Sequence, residues 1–300
     1  METPNLPFSI LGVSDSGKTN YITVMLHELG SAAGLKLAVN AQNTETSNHQ
    51  EKNRKSIYEN HTIPDSTTAD EVFPQIWWVK NLAKRRGNVV PTYTFTIFDG
   101  AGETHEDKAD APAVGRYINL SKAMIITIDP LVLDGVRRNG NVNPTIIKNS
   151  LSGRDDNVKS VKSREIVNDI ADKARGYRNL ESGAILKMPV AVVLTKFDTV
   201  WHHSIFQSEP PAKNPGASIL NGGLDIDRIK GRDDAIRAWL QAVKESEFLT
   251  ALEANFDKFM LFGVSSYGNP PKEVGKLGDI SPNRVLDPIL WLFHSAKFID

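Results

Sequence analysis

The stretch Gly12-Val13-Ser14-Asp15-Ser16-Gly17-Lys18-Thr19 constrains this chain more than any other. Its spacing is Gly, four residues, then Gly-Lys-Ser/Thr. It stands behind the apolar run Phe8-Ser9-Ile10-Leu11 and ahead of a helical pattern. Such a segment calls for a strand that delivers a loop and a helix whose N-terminus faces it. Backbone N–H groups and the helix dipole then hold a chain of phosphates. Gly12 and Gly17 let the backbone approach without a clashing Cβ. Lys18 is expected to reach the β- and γ-phosphates, and the Thr19 hydroxyl to ligate Mg²⁺. Ser14, Asp15, Ser16 and Asn20 complete the expected nucleotide-binding stretch. Asp15 is unusually charged for such a loop and is expected to face away from phosphate and pair with an arginine from another loop.

Composition excludes several classes. The net charge is −1, so no basic excess points to a nucleic-acid partner. No run of about 18 apolar residues exists to span a membrane. The start, Met-Glu, carries neither a signal peptide nor a lipidation motif, and no membrane anchor is expected. The absence of cysteine removes disulfides and thiol catalysis and fits a cytoplasmic location.

Hydrophobic patterning then predicts the architecture. Residues 5–13 read as a buried strand and 17–30 as its helix, with Ile22, Met25, Leu26 and Leu29 on one face. Leu35 to Val39 is a short apolar piece. Residues 41–70 are polar and read as loop or short helix, with mobility expected. Residues 75–83 and the alternating Tyr93, Phe95 and Ile97 flank the turn Arg85-Arg86-Gly87-Asn88, which reads as a hairpin. Met124–Ile128, Val190–Leu194 and Phe259–Val264 suit buried parallel strands. Helices are marked by Ile166, Ile170 and Ala174, and by Ile236, Leu240 and Val243. A C-terminal helix opens on Asp287 and Pro288, read as a cap and first-turn pair. The whole is an α/β, doubly wound, mostly parallel sheet with an antiparallel edge hairpin. We expect one domain over residues 1–300, with loop or helix insertions at about 131–185 (its loop-like part 131–160) and 199–223.

Three further constellations follow in chain order. Asp99-Gly100-Ala101-Gly102-Glu103 ends the strand Thr94–Phe98. Asp99 is placed to hold Mg²⁺, and Gly102 to offer a backbone N–H to the γ-phosphate. Thr195-Lys196-Phe197-Asp198 follows the strand Val190–Leu194. A carboxylate accepts two hydrogen bonds at once, and guanine offers two donors on one edge where adenine does not. Asp198 therefore selects guanine, with discrimination on the order of 10⁴-fold available. The stem of Lys196 can lie over the base, and Thr195 can tie this loop to the phosphate loop. Gly263-Val264-Ser265-Ser266-Tyr267-Gly268 follows the last central strand, where Ser265, Ser266 and backbone N–H groups can face the guanine carbonyl oxygen.

Phosphate loop, Asp-x-x-Gly, Thr-Lys-x-Asp and a Ser-rich loop, in that order over roughly residues 5–268, resemble the P-loop GTPases of the translation-factor-related class. Asp-Gly-Ala-Gly-Glu is similar to the small-GTPase pattern Asp-Thr-Ala-Gly-Gln. The segment after Ile128-Asp129-Pro130 and the ending Arg284–Leu292 resemble bacterial GTPases of the "double-GTPase" type, associated with multi-gene defence systems. The resemblance implies binding of GTP and GDP with Mg²⁺, hydrolysis to GDP and phosphate, and a switch that engages a protein effector through residues 60–70, 99–110 and the insertions. Glu103 stands where many of these GTPases place the glutamine that orients water. An ionised glutamate only accepts hydrogen bonds, so it acts as a base or marks slow hydrolysis. The switch threonine is expected at Thr67, ahead of Thr62 and Thr68, closing on Mg²⁺. Arg137, Arg138 and Arg154 are weaker candidates for charge stabilisation. The alternatives are a GTP-binding scaffold without hydrolysis and an ATPase. His202-His203 reads as loop, not metal site, and of Trp77 and Trp78 one is expected in the core and one exposed.

Overall fold

The computed structural model describes residues 5–12, 15–32, 35–64, 74–99, 119–151, 162–206, 216, 218–220, 223–271 and 275–299. Its strands are β1 (Asn5–Gly12), β2 (Leu37–Ala41), β3 (Pro74–Asn81), β4 (Thr92–Asp99), β5 (Ala123–Ile128) and β6 (Leu186–Leu194). A small ribbon of β7 (Ile219–Leu220) and β8 (Gly223–Leu224) precedes β9 (Phe256–Gly263). One seven-stranded sheet has the order β2-β3-β4-β1-β5-β6-β9. Only β3 runs against its neighbours; β4, β1, β5, β6 and β9 are mutually parallel. From β1 the chain passes to the edge strand β2, returns inward through β3 and β4 to lie beside β1, then crosses to β5, β6 and β9 on the other side. The reversal therefore falls at the carboxyl end of β1, where open α/β sheets place their ligands.

The helices are α1 (Lys18–Ser31), α2 (Thr44–Tyr58), α3 (Asp134–Asn139), α4 (Pro144–Leu151), α5 (Ser163–Tyr177), α6 (Ile226–Ala242), α7 (Ser246–Asn255) and α8 (Asp287–Ser295). The unbroken apolar runs of β5 and β6 divide by alternation. Met124, Ile126, Ile128, Val190, Val192 and Leu194 meet α5, α6 and α7 on one face. Ala123, Ile125, Ala191 and Val193 meet α1 and α8 on the other. A strand covered on both faces has no polar side to present, which is why these runs do not alternate in hydropathy.

Several local expectations change. Residues 41–70 are not mainly loop: α2 runs for 15 residues. It buries only Thr46, Asn53 and Ile57, so no apolar stripe announces it. Its order comes from the Asn43 side chain capping Thr46 N and from the fork of Arg54 between Glu51 and Glu59. The apolar piece near Leu35 becomes β2, the edge strand outside the expected hairpin. The stretch 131–160 carries α3 and α4 among its described residues, and α5 within 131–185 is a core helix crossing from β5 to β6. Nothing in the patterning placed α7. Trp77 is buried and Trp78 is 39% exposed, as neighbours on a strand require.

Asp287 is no helix cap. Leu286 holds that position, and the buried Asp287 carboxylate instead accepts from Ser218 N at 3.2 Å and Ser218 Oγ at 2.9 Å, and pairs with Arg284 at 3.2 Å. This bracket ties the segment before β7 to the start of α8.

Candidate functional site

β1 pairs with β5 up to Gly12, which lies opposite Thr127. A Cβ there would stand 2.2 Å from Thr127 Oγ1 and 2.7 Å from the Thr127 carbonyl oxygen. Gly12 is thus required by strand packing, a different reason from the phosphate approach expected of it. A Cβ on Gly17 would meet only ordinary contacts, but its φ is +77, and that left-handed turn is what glycine supplies. Asp15 takes φ +59 without being glycine. Left-handed residues on either side of Ser16 give the alternating backbone that forms anion nests. Gly17 caps α1 with no side-chain hydrogen bond, and the first turn holds no acidic residue. The first backbone N–H groups of a helix so left are a binding site for an anion. Lys18 opens that helix and is buried to 9% exposure; Thr19 and Asn20 follow in the same turn.

The loop Thr195–Asp198 after β6 is fastened directly onto this one. Thr195 Oγ1 donates to Ser16 O at 2.5 Å, the tie its position after β6 predicts. Lys196, at φ +48, sends its Nζ to Asp15 O at 3.0 Å and to Asp129 Oδ2 at 2.8 Å. The Lys196 stem passes Gly17, its Cε 3.7 Å from where a Cβ would be. Ser16 Oγ is held in turn by Thr127 Oγ1 at 2.9 Å. Asp15 therefore engages the neighbouring loop through its carbonyl, and its side chain is exposed.

Asp129 is the residue that motif reading passed over. It caps the turn after β5, accepting from Leu131 N at 2.9 Å, and its side chain is fully buried. A wholly buried carboxylate needs a partner, and Lys196 is that partner. The sequence signal was present, an acidic residue at the end of a buried strand. Its pairing with a lysine 67 positions away was not.

Asp198 lies in the 3₁₀ turn Phe197–Thr199, and Phe197 N donates to Val264 O at 3.0 Å, joining the ends of β6 and β9. Burial pushes its carboxyl above the ordinary carboxylate range, and the Ser265 hydroxyl hydrogen-bonded to it pulls the other way. Ser265 Oγ also accepts from Gly268 N at 2.8 Å. Ser265 thus supports Asp198, while Ser266 is half-buried beside it. The result is a desolvated acceptor at the carboxyl ends of β6 and β9, beside the phosphate-loop wall.

The fold is a doubly wound, mostly parallel α/β sheet with helices packed on both faces. No protein-family model matches the chain, and no curated protein matches it. Among solved structures it is similar to the Arl6 (BBS3) small GTPase of Trypanosoma brucei with a bound nucleotide analogue, at 13% identity, 98% of each chain and TM-score 0.38. The GTP-bound GTPase-like domain of S. cerevisiae Ski7 is similar at 15% identity over 99% of this chain and 51% of that one, TM-score 0.35. The Encephalitozoon cuniculi SAR1 small COPII coat GTPase with GDP follows at 12%, 99% and 84%, TM-score 0.34. These are loose likenesses of chain path, and neither ligand nor activity follows from them.

The remaining expected residues divide clearly. Asp99 ends β4, whose register pairs it with Ile10 of β1, two residues before Gly12. Ser14, Thr67, Thr68, Gly102, Glu103 and Arg154 lie outside the described residues. Thr62 is committed elsewhere, its backbone bridged to Lys276 and its hydroxyl directed to Ser56 O. Arg137 holds Leu131 O, Val132 O and Asp134, and Arg138 pairs with Asp134. Among the described residues no cluster of His, Cys, Asp and Glu could hold a metal, and the Trp201 indole donates to His202. No helix among them is long and apolar enough to cross a membrane.

Proposed function

We propose that this chain, as one domain over residues 1–300, binds GTP with Mg²⁺ and hydrolyses it to GDP and phosphate as a switch. The observation that carries the reading is the fastening of Thr195 and Lys196 onto the phosphate loop, with Asp198 buried beside them. A carboxylate pushed above its ordinary range by burial is stabilised by a ligand that brings two donors, as the guanine edge does. The uncapped start of α1 supplies donors to the phosphates. Mg²⁺ would be held by Thr19 and Asp99, with Thr67 closing on it; the ion would neutralise charge developing on the phosphates. Lys18 adds positive charge at the β- and γ-phosphates, Gly102 a backbone donor, and Glu103 a proton acceptor for water. The switch would act on a protein effector in the cytoplasm, and the double-GTPase resemblance points to a bacterial defence system.

Calorimetry with GDP and ADP tests the base. Tight GDP binding with none for ADP is expected, and the reverse makes the protein an ATPase. Asp198→Asn should lose guanine and gain xanthine nucleotide; unchanged GDP binding refutes the role of Asp198. Single-turnover assays with [γ-³²P]GTP test the chemistry, since bound GTP that releases no phosphate leaves a GTP-binding scaffold.

A further inference from the structure

The limb that returns from the loop after β9 has two ends, one hydrogen-bonded to Ser265 and Tyr267 and the other to His61 and Ile63. At one end Ser265 and Asn283 exchange both backbone hydrogen bonds, at 3.1 and 2.8 Å, and Ser281 N donates to Tyr267 O at 3.0 Å. The approach is so close that a Cβ on Gly268 would lie 2.1 Å from Ser281 O. Ser265 is the residue that supports Asp198. At the other end Ile63 N donates to Gly275 O at 3.2 Å and Leu277 N to His61 O at 2.8 Å, with Thr62 and Lys276 paired between them. His61 Nδ1 adds a contact to Gly278 O at 3.1 Å. Residues 275–283 are continuous between these ends, and Leu277, Ile280, Tyr267, Ile63 and Tyr58 pack into one core.

We infer that residues 275–283 are a lever: occupation of the base site at Asp198 and Ser265 is transmitted along this limb to His61–Ile63, the stem of the segment that carries Thr67. The inference rests on the guanine-site reading above. Its physical basis is that main-chain pairs at both ends leave the limb little freedom to move at one end alone. Coupling requires an element that both ends bias, and this limb is hydrogen-bonded at one end to Ser265 and Tyr267 and at the other to His61 and Ile63. By reciprocity, loosening the clasp at His61–Ile63 weakens the preference for a base-bearing ligand over bare phosphates.

Hydrogen exchange on the full chain tests this, with GDP and inorganic tripolyphosphate, each with Mg²⁺, titrated to equal protection of Lys18–Ser31. GDP is expected to slow exchange at both 275–278 and 61–63 relative to tripolyphosphate, by roughly fivefold, the net worth of one backbone hydrogen bond. Ile63→Pro removes the donor to Gly275 O. It should keep GDP-dependent protection of 265–268 and lose it at 61–62. Gly275→Ala, which strains φ +78 in open space, should give the same pattern if the proline variant does not fold. Protection of 265–268 by GDP with 61–63 unchanged overturns the lever and leaves the guanine site standing. Absence of GDP protection at both 265–268 and Lys18–Ser31 overturns both.

Discussion

Asp129→Asn tests whether the two walls of the site are one unit. Asparagine is isosteric and keeps the bond from Leu131 N, but it no longer pairs with Lys196. Breaking a fully buried ion pair costs about 3–5 kcal/mol, and losing an exposed one about 0–1 kcal/mol. Here the Asp129 side chain is 0% exposed and that of Lys196 is 37% exposed. Water and Asp15 O therefore recover part of the loss on the lysine side. The expected destabilisation is about 2 kcal/mol, between the two limits. With a urea m-value of about 3 kcal/mol/M for a chain this long, the midpoint falls by ~0.7 M. The functional effect is separate. Lys196 released from Asp129 keeps only Asp15 O and water as partners for its Nζ, and its stem is no longer fixed against Gly17. GDP affinity should fall about tenfold, the equivalent of 1.4 kcal/mol. Because Asp129 sits behind Lys196 and not at the base edge, the same factor is expected for xanthine nucleotide in an Asp198→Asn background. A urea midpoint and a GDP affinity both within error of wild type would refute the pairing as the brace of the site.

Gly12→Ala should destabilise the nucleotide-free protein by about 2–4 kcal/mol, summing overpacking with loss of the buried Ser16–Thr127 bond, read as a lowered thermal midpoint. Adding Thr127→Ala should restore only part of this, because the backbone oxygen 2.7 Å from the new Cβ remains. Asp198, raised by burial, must be ionised to accept two donors, so GDP affinity should fall about tenfold per pH unit below its nucleotide-free pKa. Over the same window, between the ordinary carboxylate value and the raised one, lowering pH should stabilise the nucleotide-free protein. Asp198→Asn should flatten both profiles, and an unaltered affinity profile would exclude Asp198 as the titrating group. Arg284→Met leaves the Asp287 carboxylate buried without its cation, an expected loss of about 3–5 kcal/mol by urea unfolding at neutral pH. Burial already raises Asp287, so that variant should regain stability as pH falls and the group protonates.

What the sequence made legible was local. The phosphate loop is a contiguous pattern, and its strand, turn and helix need only nearest neighbours to be recognised. The tie from Thr195 was legible because two loops that hold one ligand must meet. Less legible was anything set by distant pairing. The reason for Gly12 lies in Thr127, and the role of Asp129 lies in Lys196; no spacing encodes either. Helix α2 escaped because capping and ion pairs stabilise it without an apolar face, and periodicity sees only apolar faces. The antiparallel strand β3 was legible because residues 75–83 and the alternating Tyr93, Phe95 and Ile97 of β4 flank a tight turn. That β2 covers it was not, since Leu37 to Ala41 is too short to carry a pattern of its own.

The strain in the site has a consequence for where switching can occur. Asp15 and Lys196 are both left-handed without being glycine, at φ +59 and +48. Each such residue costs on the order of 1 kcal/mol and persists only where its surroundings hold it. Here the two hold each other, because the Lys196 ammonium bonds the Asp15 carbonyl while Asp129 anchors the ammonium and Thr195 grips Ser16. Relaxing either residue would break a bond to the other. The half of the candidate site made by the ends of β1, β5 and β6 is thus cross-braced by the protein's own bonds. Under the proposed function, a response to the nucleotide would therefore arise on the other side, along the stem His61–Ile63, where the described backbone is held by bonds to residues 275–277 and to Ser56.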